Sequence, residues 1–170
     1  WLGVQWASKL DGAGMAVHGR PPLAIVLALD ISGSMMMELD GDDDGGPRVS
    51  KLDVSKRCVR SILDQLTDAD ALGVTLFNHE THVLQPIAKC TAALKASVLR
   101  KLAAVRPGGG TRLEEGFEAG MRSLAEGGCE AHALKRVYFL TDMMSGPADE
   151  AAVLDHAMKR AGDNGLHPSV

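Results

Sequence analysis

Hydrophobic and polar positions alternate along the chain in blocks that predict strands and helices in turn. Residues 23–29 are all apolar. Because neither face of this segment carries a polar side chain, it is typical of a strand buried at the centre of a parallel sheet. Two further runs, 71–77 and 81–87, flank the polar residues 78–80 and predict a hairpin. Residues 136–140 predict another strand.

Segments between and after these strands carry apolar residues at helical spacing. The first helix is predicted over residues 51–66, and Ser50 with Asp53 three positions later is typical of a capping box at its start. The apolar positions of the second and third helices are Leu94, Val98, Leu102 and Val105, then Leu113, Phe117, Met121 and Leu124. A fourth helix over 149–160 begins with acidic and ends with basic residues, as the helix dipole favours. Residues 167–170 predict the start of a further strand.

Strands that alternate with helices predict an α/β domain with a parallel sheet and right-handed crossovers. The 170 residues are enough for one domain that folds without a disulfide or metal staple. We interpret residues 1–22 as a lead-in segment and residues 23–170 as the domain. The three cysteines lack a CxxC spacing, so we expect free thiols.

Composition narrows the class of partner. Hydrophobic residues make up 45% and charged residues 24%, a globular balance that excludes a disordered or collagen-like chain. The net charge of -4 argues against nucleic acid as a partner, because phosphate binding needs a clustered basic surface.

The longest apolar run falls far short of a membrane span, so we expect no membrane insertion. No signal peptide is visible, but the chain begins at Trp1, so the compartment is unknown, with the cytoplasm slightly favoured.

Acidic and hydroxyl side chains follow the ends of two predicted strands. Asp30, Ser32 and Ser34 come directly after the first strand, and Asp142 follows the last strongly apolar one. Thr111 stands after a Gly-rich turn at the start of a helix. Because ligands of α/β sheets bind beyond the carboxyl ends of the strands, we expect these residues on one rim. Their hard oxygen atoms suit Mg²⁺, Mn²⁺ or Ca²⁺, and a centre with two carboxylates can accept one more from outside.

Three separated segments carry a family resemblance. The sequences Asp-Ile-Ser-Gly-Ser-Met at 30–35, Gly-Gly-Thr at 109–111 and Phe-Leu-Thr-Asp at 139–142 resemble the metal-ion-dependent adhesion site (MIDAS) of a von Willebrand factor type A (vWA) domain. The resemblance covers roughly residues 23–170. It implies a Rossmann-like, doubly wound, mostly parallel sheet with one antiparallel edge strand and helices on both faces. The family usually has a fifth helix and a sixth strand beyond Val170, so we expect the domain to be truncated at its C terminus.

The resemblance also implies a function. Family members usually bind proteins without being enzymes, and an Asp or Glu of the partner completes the shell of a divalent cation, Mg²⁺ or otherwise Mn²⁺ or Ca²⁺. By this resemblance, the metal is bound directly by Ser32, Ser34 and Thr111. It is bound directly or through water by Asp30 and Asp142. We therefore expect a cation-dependent protein-binding domain, in adhesion or a related role, with other domains of the parent protein beside it.

Other readings stay open. A Mg²⁺-dependent hydrolase or phosphoryl-transfer enzyme needs a positioned base besides the metal ligands, and His79 and Glu80 are the candidates near the rim. A scaffold within a larger assembly, such as a ubiquitin ligase or chelatase-like complex, would leave the site idle. The turn at 108–110 could cradle phosphate but lacks the Lys of a P-loop. Residues 40–45 match the opening of an EF-hand loop, yet Lys51 stands where its last Glu belongs, so we expect a solvated acidic loop.

Overall fold

β1 (Leu23–Asp30) is the central strand of a four-stranded sheet in the computed structural model, which describes residues 20–39, 48–127 and 133–142. Every residue of β1 after the first is buried. One hydrophobic cluster contains Ile25, Leu27 and Leu29, and a second contains Ala24, Val26 and Ala28. The prediction of a strand covered on both faces is confirmed.

The neighbours of β1 give the sheet its mostly parallel character. β4 (Ala71–Phe77) and β6 (Leu134–Leu140) flank β1, and both run parallel to it. β5 (Thr81–Lys89) pairs antiparallel with β4, so the order in the described part of the chain is β5-β4-β1-β6. Leu29 lies opposite Leu140, and the two strands therefore end side by side. The predicted mixed sheet with an antiparallel edge strand is confirmed.

Helices cover both faces of this sheet, as expected. α1 (Lys51–Gln65) and α2 (Ala92–Ala104) bury Val59 and Val98 in the cluster built on the odd-numbered residues of β1. α3 (Leu113–Glu126) packs its apolar face into the other cluster. The apolar stripe predicted for each helix is therefore the stripe that faces the sheet.

α1 begins directly after Ser50, the cap residue that the sequence predicts. The Ser50 side chain accepts a hydrogen bond from the backbone N–H of Asp53 at 3.1 Å, and its hydroxyl donates to the Asp53 carboxylate at 2.8 Å. A pair of short strands on either side of residues 40–47 was not predicted from the sequence. β2 (Glu38–Leu39) pairs antiparallel with β3 (Val49–Ser50). Each of these strands has two residues, too few for a recognisable period in the sequence.

Close packing of α3 depends on glycines that face the sheet. A Cβ atom on Gly116 would lie 2.5 Å from the ring of Phe77, and one on Gly120 would lie 3.0 Å from Cγ1 of Val137. The helix therefore approaches the strands more closely than a larger residue would allow. This approach holds the turn before α3 near the carboxyl end of β1.

Some predicted features lie outside the described residues. They are residues 1–19 of the lead-in segment, the acidic residues 40–47, the fourth helix over 149–160 and the strand at 167–170. Within the described ranges, no helix combines the length and the hydrophobicity needed to cross a lipid bilayer.

Candidate metal centre

Asp30 is the fully buried last residue of β1, and its carboxylate joins two loops. One oxygen accepts a hydrogen bond from the backbone N–H of Ser32 at 2.8 Å. The other accepts one from the hydroxyl of Thr141 at 2.7 Å, directly after β6. Each carboxylate oxygen can accept a second bond, so Asp30 retains the capacity to bind a cation or a water molecule.

The two serines continue this network toward the second aspartate. Ser32 is buried, with 1% of its surface exposed, and its hydroxyl oxygen lies 3.0 Å from that of Ser34. The Ser34 hydroxyl donates to Oδ1 of Asp142 at 3.3 Å. Residues from the ends of two neighbouring strands are thus linked by side-chain oxygen atoms, which supports the expectation of a shared rim.

Asp142 also contacts Lys51, a residue that the sequence did not identify as part of the site. The ammonium group of Lys51 lies 2.8 Å from Oδ2 of Asp142, and both side chains are largely buried. Lys51 is the first residue of α1. A lysine at a helix N terminus opposes the helix dipole, and this local inconsistency was the signal in the sequence that could have identified it.

Thr111 reaches the same rim through the backbone of its loop. The N–H of Gly33, between the two serines, donates to the carbonyl of Gly109 at 2.9 Å, and the N–H of Gly108 donates to the carbonyl of Ile31 at 2.8 Å. These bonds fix the Gly-rich turn against the first loop two residues before Thr111. Among the described residues, no hydrogen bond joins Thr111 to either serine, and its side chain is half-buried.

A second loop supports the Gly-rich turn from the other side. The side-chain amide of Asn78 donates to the carbonyl of Gly108 at 2.8 Å, and the carbonyl of Asn78 accepts from the N–H of Arg112 at 2.8 Å. Gly109 adopts a φ of 78°, and a Cβ atom there would overlap Nδ1 of His79. His79 therefore packs against the turn, and Oε2 of Glu80 lies 3.4 Å from Nε2 of His82, with both side chains exposed.

The donor atoms fit a hard divalent cation. Two carboxylates and three hydroxyls are the oxygen ligands that Mg²⁺, Mn²⁺ and Ca²⁺ prefer. The described residues contain no group of three or more His, Cys, Asp or Glu side chains that could hold a metal ion. A site completed by serine and threonine needs no third acidic group, so the two observations are compatible.

The family assignment follows from sequence comparison. Residues 25–145 match the von Willebrand factor type A domain. The uncharacterized protein sll0103 of Synechocystis sp. is 28% identical over 123 residues, which cover 72% of this chain. The chain spans only 26% of the length of that relative.

Solved structures share the fold. The conserved hypothetical protein BatB of Bacteroides thetaiotaomicron superposes with a TM-score of 0.67 at 22% identity, covering 87% of this chain and 65% of BatB. A von Willebrand factor type A structure from Catenulispora acidiphila gives a TM-score of 0.63 at 18% identity, covering 87% of this chain and 32% of that one. The sequence match over residues 25–145 extends over more than half of the chain. This chain belongs to the von Willebrand factor type A domain family.

Proposed function

We propose that this domain binds a protein partner through a divalent cation held by its rim residues, with a carboxylate of the partner as a further ligand. The proposed ligands are Asp30, Ser32, Ser34, Thr111 and Asp142. The family is known for protein–protein interaction, and its members are generally non-enzymatic adhesion or scaffold domains. The partner is expected to present an Asp or Glu side chain, and the parent protein is expected to carry other domains.

The single observation that carries this proposal is the network of side-chain oxygens between the ends of β1 and β6. The hydroxyls of Ser32 and Ser34 lie 3.0 Å apart, and Ser34 donates to Asp142. Two neutral hydroxyls close to two carboxylates favour a divalent cation over a monovalent one, because the attraction to the carboxylates grows with the charge of the ion. Bound there, Mg²⁺ or Mn²⁺ would supply a Lewis-acidic centre able to take one outside carboxylate oxygen.

Hydrogen bonds hold the segments that carry the proposed ligands next to one another. Asp30 holds the loop of the two serines and the end of β6 together through its two hydrogen bonds. The bond between Gly33 and Gly109 keeps the turn that carries Thr111 beside that loop. The rim is thereby assembled from three separate segments of the chain, and each contributes at least one proposed ligand.

The contacts of His79 and Glu80 favour binding over hydrolysis. A hydrolase that used the same cation would need a base positioned beside it. Glu80 is paired with His82 on an exposed hairpin, and His79 packs on the Gly-rich turn. Both contacts are with other residues than the serines or Asp142.

Binding of Mn²⁺ tests the proposal, since its effect on water-proton relaxation reports a bound ion directly. The whole 170-residue chain is titrated beside a double variant, Ser32→Ala with Ser34→Ala, and a control, Ser97→Ala, in which a half-buried serine of α2 is replaced. We expect the wild type and the control to bind Mn²⁺ and the double variant to lose binding while staying folded by circular dichroism. A wild type that does not bind Mn²⁺, or a folded double variant that binds it equally well, would reject the proposal.

A further inference from the structure

Lys51 is tied to the metal-site rim at both its backbone and its side chain. Its N–H donates to the carbonyl of Met37 at 3.0 Å, which fixes the start of α1 to the end of the short 3₁₀ helix (Gly33–Met36) that carries Ser34. Its ammonium group lies 2.8 Å from Oδ2 of Asp142. Lys51 therefore connects the first loop to the end of β6, which are the two segments joined by the side-chain oxygen network.

The ammonium group changes the charge of the site. Asp30 and Asp142 carry two negative charges, and the described contacts of the network bring in one cation, Lys51. The three groups sum to one negative charge, so a bound divalent cation leaves the rim with one positive charge. Without Lys51, the same cation would leave the rim neutral.

We propose that Lys51 weakens the binding of the metal in order to strengthen the binding of the partner carboxylate. This inference rests on the proposed function, because it concerns the same cation and the same partner group. Like charges repel, so the ammonium group opposes entry of a divalent cation beside Asp142. The net positive charge that remains attracts an anionic ligand, which a neutral rim would not do.

Burial makes both effects larger than at an open surface. The side chain of Lys51 is 21% exposed and that of Asp142 is 9% exposed, so solvent screens their charges only partly. The flexible four-carbon stem of lysine lets the ammonium group stay near the rim after Asp142 engages a metal. Removal of one charge in such a place changes an affinity by about tenfold.

Opposite changes in two affinities distinguish this role from a structural one. If Lys51 only held the loops together, its loss would loosen the site and weaken the binding of metal and carboxylate alike. If its charge opposes the metal and attracts the carboxylate, its loss makes metal binding tighter and carboxylate binding weaker. The two accounts therefore differ in sign and not only in size.

The experiment measures both affinities in the whole chain with Mn²⁺ and acetate as probes. Mn²⁺ binding is followed by water-proton relaxation, and acetate is then titrated into the loaded protein at constant ionic strength set with chloride. The variants are Lys51→Met, which keeps the stem, and Lys51→Arg, which keeps the charge. Lys95→Met is the control, since Lys95 is a half-buried lysine that donates to the carbonyl of Leu66 at 2.6 Å, away from the rim.

We expect Lys51→Met to bind Mn²⁺ about tenfold more tightly and acetate about tenfold more weakly than the wild type. Lys51→Arg and Lys95→Met should match the wild type in both titrations. Should Lys51→Met fail to fold, Lys51→Gln, which retains a donor for Asp142 without the charge, decides in its place. Affinities that change in the same direction or not at all, or a Lys51→Arg variant that behaves like Lys51→Met, would overturn the inference. Those results do not contradict the proposed function if the wild type binds Mn²⁺ and acetate. The proposed function itself fails if the wild type binds neither.

Discussion

The hydroxyl of Thr141 donates a hydrogen bond of 2.7 Å to Oδ2 of Asp30, although the two residues lie 111 positions apart in the chain. The parallel register explains this contact, because Leu29 and Leu140 are opposite each other and the next residues leave the sheet together. Asp30 is fully buried, so its charge depends on such donors for stabilisation. The same carboxylate therefore serves the fold and the candidate metal site.

Replacement of Thr141 by Val should lower the free energy of unfolding. The change removes the donor to a buried carboxylate while keeping the shape of the side chain, and such hydrogen bonds are worth about 2 kcal/mol. Urea unfolding at neutral pH measures the loss. Thr141→Ser, which keeps the hydroxyl, is the control and should retain most of the stability. A Thr141→Val variant as stable as the wild type would show that this hydrogen bond contributes nothing to folding.

A second buried carboxylate, Asp70, holds segments together at the edge of the sheet where β1 and β4 begin. It has no exposed surface and accepts hydrogen bonds from the Arg20 guanidinium, from the N–H of Leu23 at 2.9 Å and from the N–H and hydroxyl of Thr67. Burial by itself raises the pKa of Asp70, but the hydrogen bonds from Arg20, Thr67 and Leu23 outweigh it and hold the pKa well below its ordinary range. The contact joins the residues before β1 to the turn before β4.

Replacement of Asp70 by Asn should destabilise the domain and reduce its acid sensitivity. We expect a loss of about 3 kcal/mol at neutral pH, because Arg20 loses its charged partner and is only partly open to solvent. A carboxylate whose pKa is lower in the folded state contributes stability that is complete above its unfolded pKa of about 3.9. That contribution disappears as the pH falls toward the folded pKa, so the variant should lose less stability than the wild type between pH 4 and pH 2. The difference between the two should be of the same order as the loss at neutral pH.

Urea unfolding at a series of pH values measures this difference. Asp68→Asn is the matched control, because Asp68 lies two positions away and is exposed. We expect Asp68→Asn to follow the wild type at every pH. An Asp70→Asn variant whose stability falls as steeply as that of the wild type below pH 4 would contradict the role given to Asp70.

The sequence predicted the parts of the fold that local pattern determines. An unbroken apolar run is stable only when both of its faces are covered, so residues 23–29 predicted a strand at the centre of the sheet. Ser50 with Asp53 three positions later predicted the start of α1. The contacts of Asp70 with Arg20 and of Asp142 with Lys51 were not predictable in this way. Each joins residues 50 or 91 positions apart, and their meeting depends on the register of the sheet and the rotation of a helix.

Part of the candidate site was predictable for a related reason. Residues that follow parallel strands share one edge of the sheet, which predicts that Asp30 and Asp142 lie on the same rim. Thr111 was expected on the same rim, but the hydrogen bond from the N–H of Gly33 to the carbonyl of Gly109 was not predictable, because backbone groups leave no signature in the sequence. The pair of two-residue strands, β2 and β3, was missed because it is too short to show a period.

Replacement of Gly109 by Ala should disturb the turn that carries Thr111. Gly109 has a φ of 78°, where a residue with a Cβ is strained, and its new methyl group would also overlap His79. We expect a loss of about 2 kcal/mol in the free energy of unfolding and weaker Mn²⁺ binding. Gly110→Ala is the control, since among the described residues no atom beyond its chain neighbours lies within 4 Å of a Cβ at that position.

A double variant separates the two causes of that loss. Gly109→Ala combined with His79→Ala removes the overlap but leaves the backbone strain, so we expect only partial recovery of stability. Full recovery would show that the overlap with His79 was the whole effect. No loss at all in Gly109→Ala, measured by urea unfolding, would contradict the conformation of the turn.

Thr111 tests whether the fold and the proposed metal site can be separated. Its half-buried hydroxyl makes no hydrogen bond to Ser32 or Ser34 among the described residues, so replacement by Val should change the free energy of unfolding by less than about 0.5 kcal/mol. As a proposed direct ligand, however, the hydroxyl should matter to the metal, and Thr111→Val should weaken Mn²⁺ binding by about tenfold or more. Thr111→Ser keeps the oxygen and should bind Mn²⁺ nearly as the wild type does. Relaxation titrations and urea unfolding on the same samples measure both quantities, and a Thr111→Val variant with unchanged Mn²⁺ affinity would remove Thr111 from the ligand set.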